Sequence, residues 1–305
     1  MATIPGSVDE VRCKTPVPER RSAEADGLSP VAALVRRHDR DRFQTVLFAP
    51  AARREALFAL YAFNYEIARV RESVTEPTLG RIRLEWWREN VAAAYQAGAV
   101  RRHPVAEALT ATIREYALTR EHVDRLIDAR ESSLEDEPPV SLAALEAYAA
   151  GSSASLVRLA LEVLSARDPA AGEAGYHVGI AYAFAGTIRA MPFQARTGLG
   201  AIPTEIAERH GVGGGRDYRE LRHTVGLRRA TAEIAAAATQ HLAHARAHRA
   251  RVPRSALPAL LPAQVAQRWL IRLKRARYDP FDPSLTFPDP LQSWRLAASV
   301  LLNRF

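Results

Sequence analysis

Apolar residues recur along this chain with the spacing of α-helices. After Pro50 the stripe advances by steps of one, three and four residues: Ala56, Leu57, Leu60, Tyr61, Asn64 and Ile67. Such a stripe is typical of an amphipathic helix, and no sustained run with a period of two, rich in valine and isoleucine, competes with it. Prolines interrupt the pattern at intervals that suit helices of about 12–25 residues. They stand at Pro50, Pro77, Pro104, Pro138–Pro139, Pro169, Pro203, Pro253 and between Pro280 and Pro290. The sequence therefore predicts an all-α protein.

Composition is that of a globular protein with a sizeable core. The 305 residues are 48% hydrophobic and 25% charged. Charged residues interrupt every apolar stretch before it reaches the roughly 20 residues that a transmembrane helix needs. Residues 1–27 combine prolines, glycines and mixed charges without an apolar segment, so we expect a disordered N-terminal tail rather than a signal or transit peptide. Residues 28–305 are expected to form the helical domain.

The single cysteine, Cys13, excludes an intramolecular disulfide and any multi-cysteine metal site, and indicates a reducing compartment such as the cytosol. The net charge is +8, and nearly all basic residues are arginines. Three interpretations remain open: dispersed solvated arginines, attraction to an acidic partner or an anionic lipid surface, and nucleic-acid binding. The last is the weakest, because no aromatic-studded basic segment or zinc finger is present. We therefore expect no nucleic-acid partner.

Three histidines of one helical segment, His241, His244 and His248, share a face and could hold a metal ion. The neighbouring Arg246 and Arg249 would oppose a cation, so a solvated basic face is the favoured interpretation. The pair Trp86-Trp87 is expected to pack in the core rather than bind a ligand.

Two segments carry the most specific pattern. The first runs over residues 59–72, from Ala-Leu-Tyr-Ala-Phe to Arg-Glu, and the second over residues 179–203. The chain also contains Leu-Glu-Trp-Trp-Arg at 84–88, His103-Pro104, Leu-Pro-Ala at 261–263, Trp269-Leu270, and Tyr-Asp-Pro-Phe at 278–281. In this order, over roughly residues 30–300, the sequence resembles the squalene/phytoene synthase family of head-to-head prenyl synthases.

The resemblance implies a single helical bundle of the isoprenoid-synthase type around a central apolar cavity. In active members, each of two facing helices carries Asp-x-x-x-Asp, whose four-residue step places both carboxylates on one face. The two pairs hold Mg²⁺ ions that neutralise a prenyl diphosphate, while arginines bind its oxygens.

This sequence departs from the pattern at those positions. Alignment on the motifs places the first aspartate pair at Ala68 and Glu72, and the second pair at Ala190 and Gln194. A methyl group cannot bind Mg²⁺, and one glutamate should not hold a cluster that needs several anionic oxygens. We therefore predict no catalytic residues and no metal; Mg²⁺ would be needed only if the chain were an active enzyme.

Three further departures accompany this loss. Tyr65 stands where the family usually has an arginine, and Pro192 lies inside the second motif, where a proline is expected to kink the helix. Asp-Arg-Asp-Arg-Phe at 39–43 replaces a serine-containing substrate motif. We expect Glu72 to pair with Arg69 or to be solvated. The remaining motif positions are candidate cavity or vestigial substrate-binding residues: Tyr61, Asn64, Tyr65, Arg69, Tyr182, Arg189 and Arg196.

Both motifs resemble a non-catalytic branch of the family, which includes a mitochondrial assembly factor for respiratory complex I. The resemblance implies a pseudo-enzyme whose partner is a complex I subunit or assembly intermediate. The single cysteine and the expected lack of a transit peptide favour a cytoplasmic location, and the net positive charge adds peripheral contact with the inner, anionic face of the respiratory membrane as a further hypothesis. An active head-to-head prenyltransferase, and a non-catalytic lipid or quinone binder, remain as alternatives.

Overall fold

The computed structural model describes residues 27–74, 76–96, 98–99, 101–135, 137–197, 202–213 and 223–305. Within these residues all regular structure is helical, which confirms the predicted fold class. The first helices are α1 (Pro30–His38), α2 (Arg40–Val46), α3 (Ala51–Ala68), α4 (Pro77–Tyr95), α5 (Pro104–Tyr116), α6 (Arg120–Ser132) and α7 (Leu142–Ala149). They are followed by α8 (Ser155–Val163), α9 (Pro169–Thr197), α10 (Thr204–Arg209), α11 (Val225–Ala247), α12 (Leu257–Leu260), α13 (Pro262–Arg275) and α14 (Gln292–Leu301). The predicted tail, residues 1–27, lies outside the described residues except for Gly27.

Prolines mark the starts of the helices, as the sequence predicts. Pro77, Pro104 and Pro169 occupy the first positions of α4, α5 and α9, and Pro50 and Pro203 directly precede α3 and α10. A proline at a helix start costs little, because its missing N–H would have no partner there and its φ is already helical.

The helix α3 lies in the middle of the core. Every residue from Ala56 to Asn64 is buried, so the helix is covered all round, whereas the sequence pattern indicated one buried stripe. Phe63 contacts Trp87 of α4 edge to face, with ring centroids 5.3 Å apart. Trp87 is thus a core residue, as expected.

The 29-residue helix α9 organises the second half of the chain. It packs along α11 and also against α8 and α13. It continues through Pro192 to Thr197. None of the helices in the described residues is long and apolar enough to span a bilayer.

A short π-helix, Ala150–Ala154, joins α7 to α8 and touches α9 at a glycine. A Cβ atom on Gly179 would lie 2.6 Å from the backbone nitrogen of Ala154 and closer still to its Cα. The backbones of α9 and the π-helix can approach this closely only because residue 179 has no side chain.

Candidate functional site

The first motif lies at the carboxyl end of α3, and the helix ends inside it. Ala68 is the last residue of α3, and Glu72 belongs to a separate 3₁₀ turn, Arg71–Ser73, where it is exposed. The two positions therefore do not share a helical face, and the four-residue step does not bring them together.

The candidate residues of α3 have protein partners. Tyr61 is buried in the core, and the buried Asn64 accepts a hydrogen bond from Arg130 at 3.2 Å. Tyr65 stacks on His38 with ring centroids 4.3 Å apart. Arg69 pairs with Glu66 at 3.5 Å, and Glu72 is exposed, so of the two expectations for Glu72 the solvated one describes it. Glu66 is one turn from Arg69 on α3, whereas Glu72 lies beyond the helix end.

The second motif occupies the last turns of α9. Ala190 and Gln194 are partly exposed one turn apart, and Tyr182 is buried two turns before Ala190. The backbone of Arg196 belongs to α9, but its side chain lies outside the described part of the chain.

A buried arginine links the two motif helices. The Arg42 guanidinium lies between the rings of Tyr61 and Tyr182, 5.5 and 4.7 Å from their centroids. Its charge is balanced by Asp39, whose carboxylate accepts a hydrogen bond from Arg42 at 2.7 Å. Burial raises the pKa of Tyr61 to about 12, with Arg42 acting in the opposite direction, so this hydroxyl stays protonated.

A second ion pair, between Arg189 and Asp41, lies in the same pocket as the Arg42–Asp39 pair. Arg189 of α9 donates to Asp41 of α2 at 2.7 Å, and Gln292 of α14 donates to the other oxygen of the same carboxylate at 2.9 Å. Burial alone would raise the pKa of Asp41. The charge of Arg189 and the hydrogen bonds from Arg189 and Gln292 outweigh burial, so the pKa lies below its usual value and the carboxylate is charged at neutral pH.

These groups line a polar pocket of about 450 Å³ between α2, α9, α13 and the segment before α14. A second pocket, which shares Tyr182 and Trp269 with the first, has a volume of only about 10 Å³. Phe63 and Phe184 are fully buried in the surrounding core. Both are therefore ordinary core residues.

Two other arginines of the pocket are also engaged. Arg268 lies 3.6 Å from Asp289, which Arg295 also approaches at 3.3 Å. Arg272 donates to the carbonyl oxygens of Ser284 and, at 2.7 Å, of Phe287. Arg268 is thus held by a carboxylate and Arg272 by carbonyl oxygens, and Arg40 also lines the pocket.

The donor set does not fit the Mg²⁺ cluster of active family members. The pocket's Asp39 and Asp41 are paired with arginines, and positions 68 and 190 offer only methyl groups. In the part of the chain that the structure describes, no three histidine, cysteine or acidic residues are placed to hold a metal ion. A divalent cation would have to displace two guanidinium groups from their carboxylates.

Two histidines of α11 contact His177 of α9: His241, which is partly buried, and His244, which is exposed as the expected solvated face requires. The Nδ1 atoms of His177 and His241 are 2.9 Å apart, and His244 packs edge to face on His177. The side chain of His241 is only 12% exposed, so the expected solvated basic face is wrong for this residue. Burial, and then the neighbouring His241 and His244, lower the pKa of His177 to about 4.

Sequence reasoning placed the site on the two motif helices and missed the groups that cover it. Asp39 and Asp41 were noted only as a departure from a serine motif, and Gln292 and Trp269 were not considered as pocket residues. The alternating Asp-Arg-Asp-Arg at 39–42 is the one signal that could have found the ion pairs.

The sequence profile described as squalene/phytoene synthase matches residues 35–300, and the chain belongs to this family. Among its relatives is the rat protein named NADH dehydrogenase (ubiquinone) complex I, assembly factor 6, which is 34% identical over 269 residues, covering 86% of this chain and 80% of the relative. The human protein of that name is 33% identical over the same shares, and a Drosophila melanogaster homologue is 32% identical over 94% of this chain and 88% of its own length.

Solved structures share the fold. The squalene synthase HpnC from Alicyclobacillus acidocaldarius superimposes with a TM-score of 0.72 at 22% identity, over 82% of this chain and 94% of that one. A dehydrosqualene synthase in complex with ligand gives a TM-score of 0.77 at 15% identity, over 89% of this chain and 94% of that one. The resemblance to the family, and the fold that it implied, are confirmed.

Proposed function

We propose that this chain acts in the assembly of respiratory complex I and does not catalyse prenyl transfer. Relatives that are 32–34% identical over most of the chain carry the name of a complex I assembly factor. The observation that argues against catalysis is the Arg189–Asp41 ion pair, because the motif arginine that would be needed for a substrate diphosphate is already bound to a carboxylate.

The chemistry of head-to-head prenyl transfer supports the same proposal. Loss of diphosphate from a prenyl chain requires that cations neutralise the leaving group. Positions 68 and 190 provide no carboxylate, Glu72 lies off the helix, and Arg189 is already paired with Asp41 within the chain. The second motif therefore offers a diphosphate neither a metal-binding carboxylate nor an unpaired guanidinium at position 189.

The proposed role is that of a chaperone-like partner. The chain would bind a complex I subunit or an assembly intermediate on the cytoplasmic side of the respiratory membrane. We place the binding surface outside the pocket, because Arg42, Arg189 and Arg268 of the pocket are already paired with aspartates of the chain.

A deletion strain tests the proposal directly. Complex I would be measured in its membranes by native gel and by NADH oxidation, with succinate oxidation as the control for other respiratory complexes. We expect a specific loss of complex I that the intact gene restores. Unchanged complex I would overturn the assembly role.

A complementation variant separates assembly from catalysis. The double variant Asp41→Asn with Arg189→Gln keeps a hydrogen-bonding pair of similar size but removes both charges from the site. Because the proposal gives this pair no part in partner binding, we expect the variant to restore complex I fully. In parallel, the purified protein should release no diphosphate from farnesyl or geranylgeranyl diphosphate with Mg²⁺. Metal-dependent release would favour the transferase alternative.

A further inference from the structure

We propose that the outer face of α14, together with Phe287 just before it, docks on the surface of an anionic lipid bilayer. This face, here called the α14 face, consists of Leu291, Trp294, Leu301, Leu302 and Phe287. The inference specifies a membrane contact within the proposed function and rests on that function only for its biological setting.

The helix α14 turns its apolar side to solvent. Trp294 is 76% exposed, Leu301 77% and Leu302 59%. On the opposite side, Leu296 and Ser299 are buried. At 100° per residue the three exposed side chains fall within one third of the helix circumference. An exposed apolar side with large side chains marks a contact surface, because a helix of this pattern ordinarily buries it.

The sequence segment that contains α14 accounts for the net positive charge of the whole chain. Residues 246–305 contain eleven arginines or lysines and three aspartates, which gives the segment the full net charge of +8. The remaining residues, 1–245, are therefore balanced between acidic and basic groups. The dispersed-arginine interpretation of the sequence does not describe this distribution.

Several of these arginines are anchored at the carboxyl end of α14. Arg246 donates to the carbonyl oxygen of Phe305 at 3.0 Å, Arg249 to that of Asn303 at 3.1 Å, and Arg254 to that of Val300 at 3.4 Å. The guanidinium groups thus lie near the exposed leucines. Their positive charge compensates the negative carboxyl end of the helix dipole.

A bilayer fits this combination of features. Trp294 is suited to the headgroup level and the leucines to the acyl boundary, while arginines near the surface each add about 1 kcal/mol of attraction to anionic lipids. The face is a convex helix ridge, which a fluid lipid surface can accept without a matching groove. A second copy of the chain would bring one positive segment against another, which opposes self-association through this face.

Docking would also orient the pocket. Phe287 and Gln292 line the pocket; Gln292 is the first residue of α14, and Phe287 lies five residues before it. A bilayer bound to the α14 face would therefore meet the pocket on the same side of the molecule.

Vesicle flotation with the full chain tests the inference. The probes are vesicles of equal parts phosphatidylglycerol and phosphatidylcholine, and vesicles of phosphatidylcholine alone, at low and at physiological salt. We expect binding to the anionic vesicles that weakens as salt rises. The variant Trp294→Ser with Leu301→Ser should bind at least about tenfold more weakly, since two large apolar contacts are lost.

A control variant removes two exposed apolar side chains elsewhere on the surface. Ile82 and Val140 are 61% and 72% exposed, so the variant Ile82→Ser with Val140→Ser should bind vesicles like the wild type. All four substitutions are at exposed side chains, and equal melting temperatures would show that both variants fold. Quenching of Trp294 fluorescence by brominated acyl chains should accompany binding.

Three results would overturn the inference: no binding to anionic vesicles at low salt, equal binding by the Trp294–Leu301 variant and the wild type, or a concentration-dependent dimer that this variant abolishes. The last would identify a second copy as the occupant. Vesicle binding with unchanged complex I in the deletion strain would instead refute only the proposed assembly role.

Discussion

Replacing Gly179 by alanine tests how tightly α9 is held against the π-helix. The added Cβ would lie 2.6 Å from the backbone nitrogen of Ala154, where ordinary van der Waals contacts begin at 3.4 Å. Since the clash is with backbone, no side chain can rotate away, and α9 must move by nearly 1 Å. Overpacking of this kind costs typically 1–3 kcal/mol, and the backbone contact places this variant at about 3 kcal/mol or more.

Two glycines of the same helix provide the controls. A Cβ on Gly186 meets no atom within 4 Å, so Gly186→Ala should stabilise the protein by about 0.5–1 kcal/mol through helix propensity. A Cβ on Gly175 meets Leu161 Cδ1 at 2.8 Å, and this side chain can shift. The order of stability is therefore expected to be Gly186→Ala, then Gly175→Ala, then Gly179→Ala.

Urea unfolding followed by circular dichroism at 222 nm measures these differences, and a thermal scan gives an independent reading. At roughly 2 °C per kcal/mol for a chain of this size, Gly179→Ala should melt about 6 °C lower and Gly186→Ala about 1–2 °C higher. A Gly179→Ala variant as stable as the wild type would refute the close approach of α9 to the π-helix.

Three further outcomes are expected. Titration of Mg²⁺ into the wild type, or into the variant Ala68→Asp with Ala190→Asp, should produce neither heat nor a thermal shift; micromolar binding by calorimetry would contradict the reasoning about the donor set. Asp41→Asn should free the Arg189 guanidinium and give salt-dependent binding of inorganic diphosphate that the wild type lacks, and equal heats for the two proteins would show that the ion pair does not block the site. The pKa of His177 lies below that of an unfolded histidine, so its contribution to stability is complete above about pH 6.5 and is lost as the pH falls toward 4. His177→Gln should flatten the fall of urea midpoints over that range, and an unchanged slope would place the acid sensitivity elsewhere.

Much of the fold could be predicted because its signals are local. Helical spacing and proline positions depend on residues a few places apart, and Pro77, Pro104 and Pro169 begin helices as expected. The end of α3 at Ala68 could not be predicted, since no proline or glycine follows it within the motif. Pro192 removes only one helical hydrogen bond, and buried neighbours such as Met191 keep α9 continuous.

The site could be predicted only in part, because its ion pairs join distant segments. Asp41 and Arg189 are 148 residues apart, and Asp41 and Gln292 are 251 apart. The spacing of apolar residues along the sequence does not predict contacts between such distant segments. The burial of His241 escaped prediction for the same reason, since its partner His177 belongs to another helix.

The end of α3 at Ala68 also affects how this molecule can change over generations. An aspartate introduced at residue 72 would lie on the 3₁₀ turn, apart from one introduced at residue 68, so neither substitution alone would raise the affinity for a cation. A lineage would need the backbone extension, the carboxylates and a released Arg189 together, and selection cannot favour the intermediate steps for a metal that they do not bind. Under the proposed non-catalytic function, substitutions around the pocket can therefore accumulate one by one, whereas cation binding at this site would require several substitutions at once.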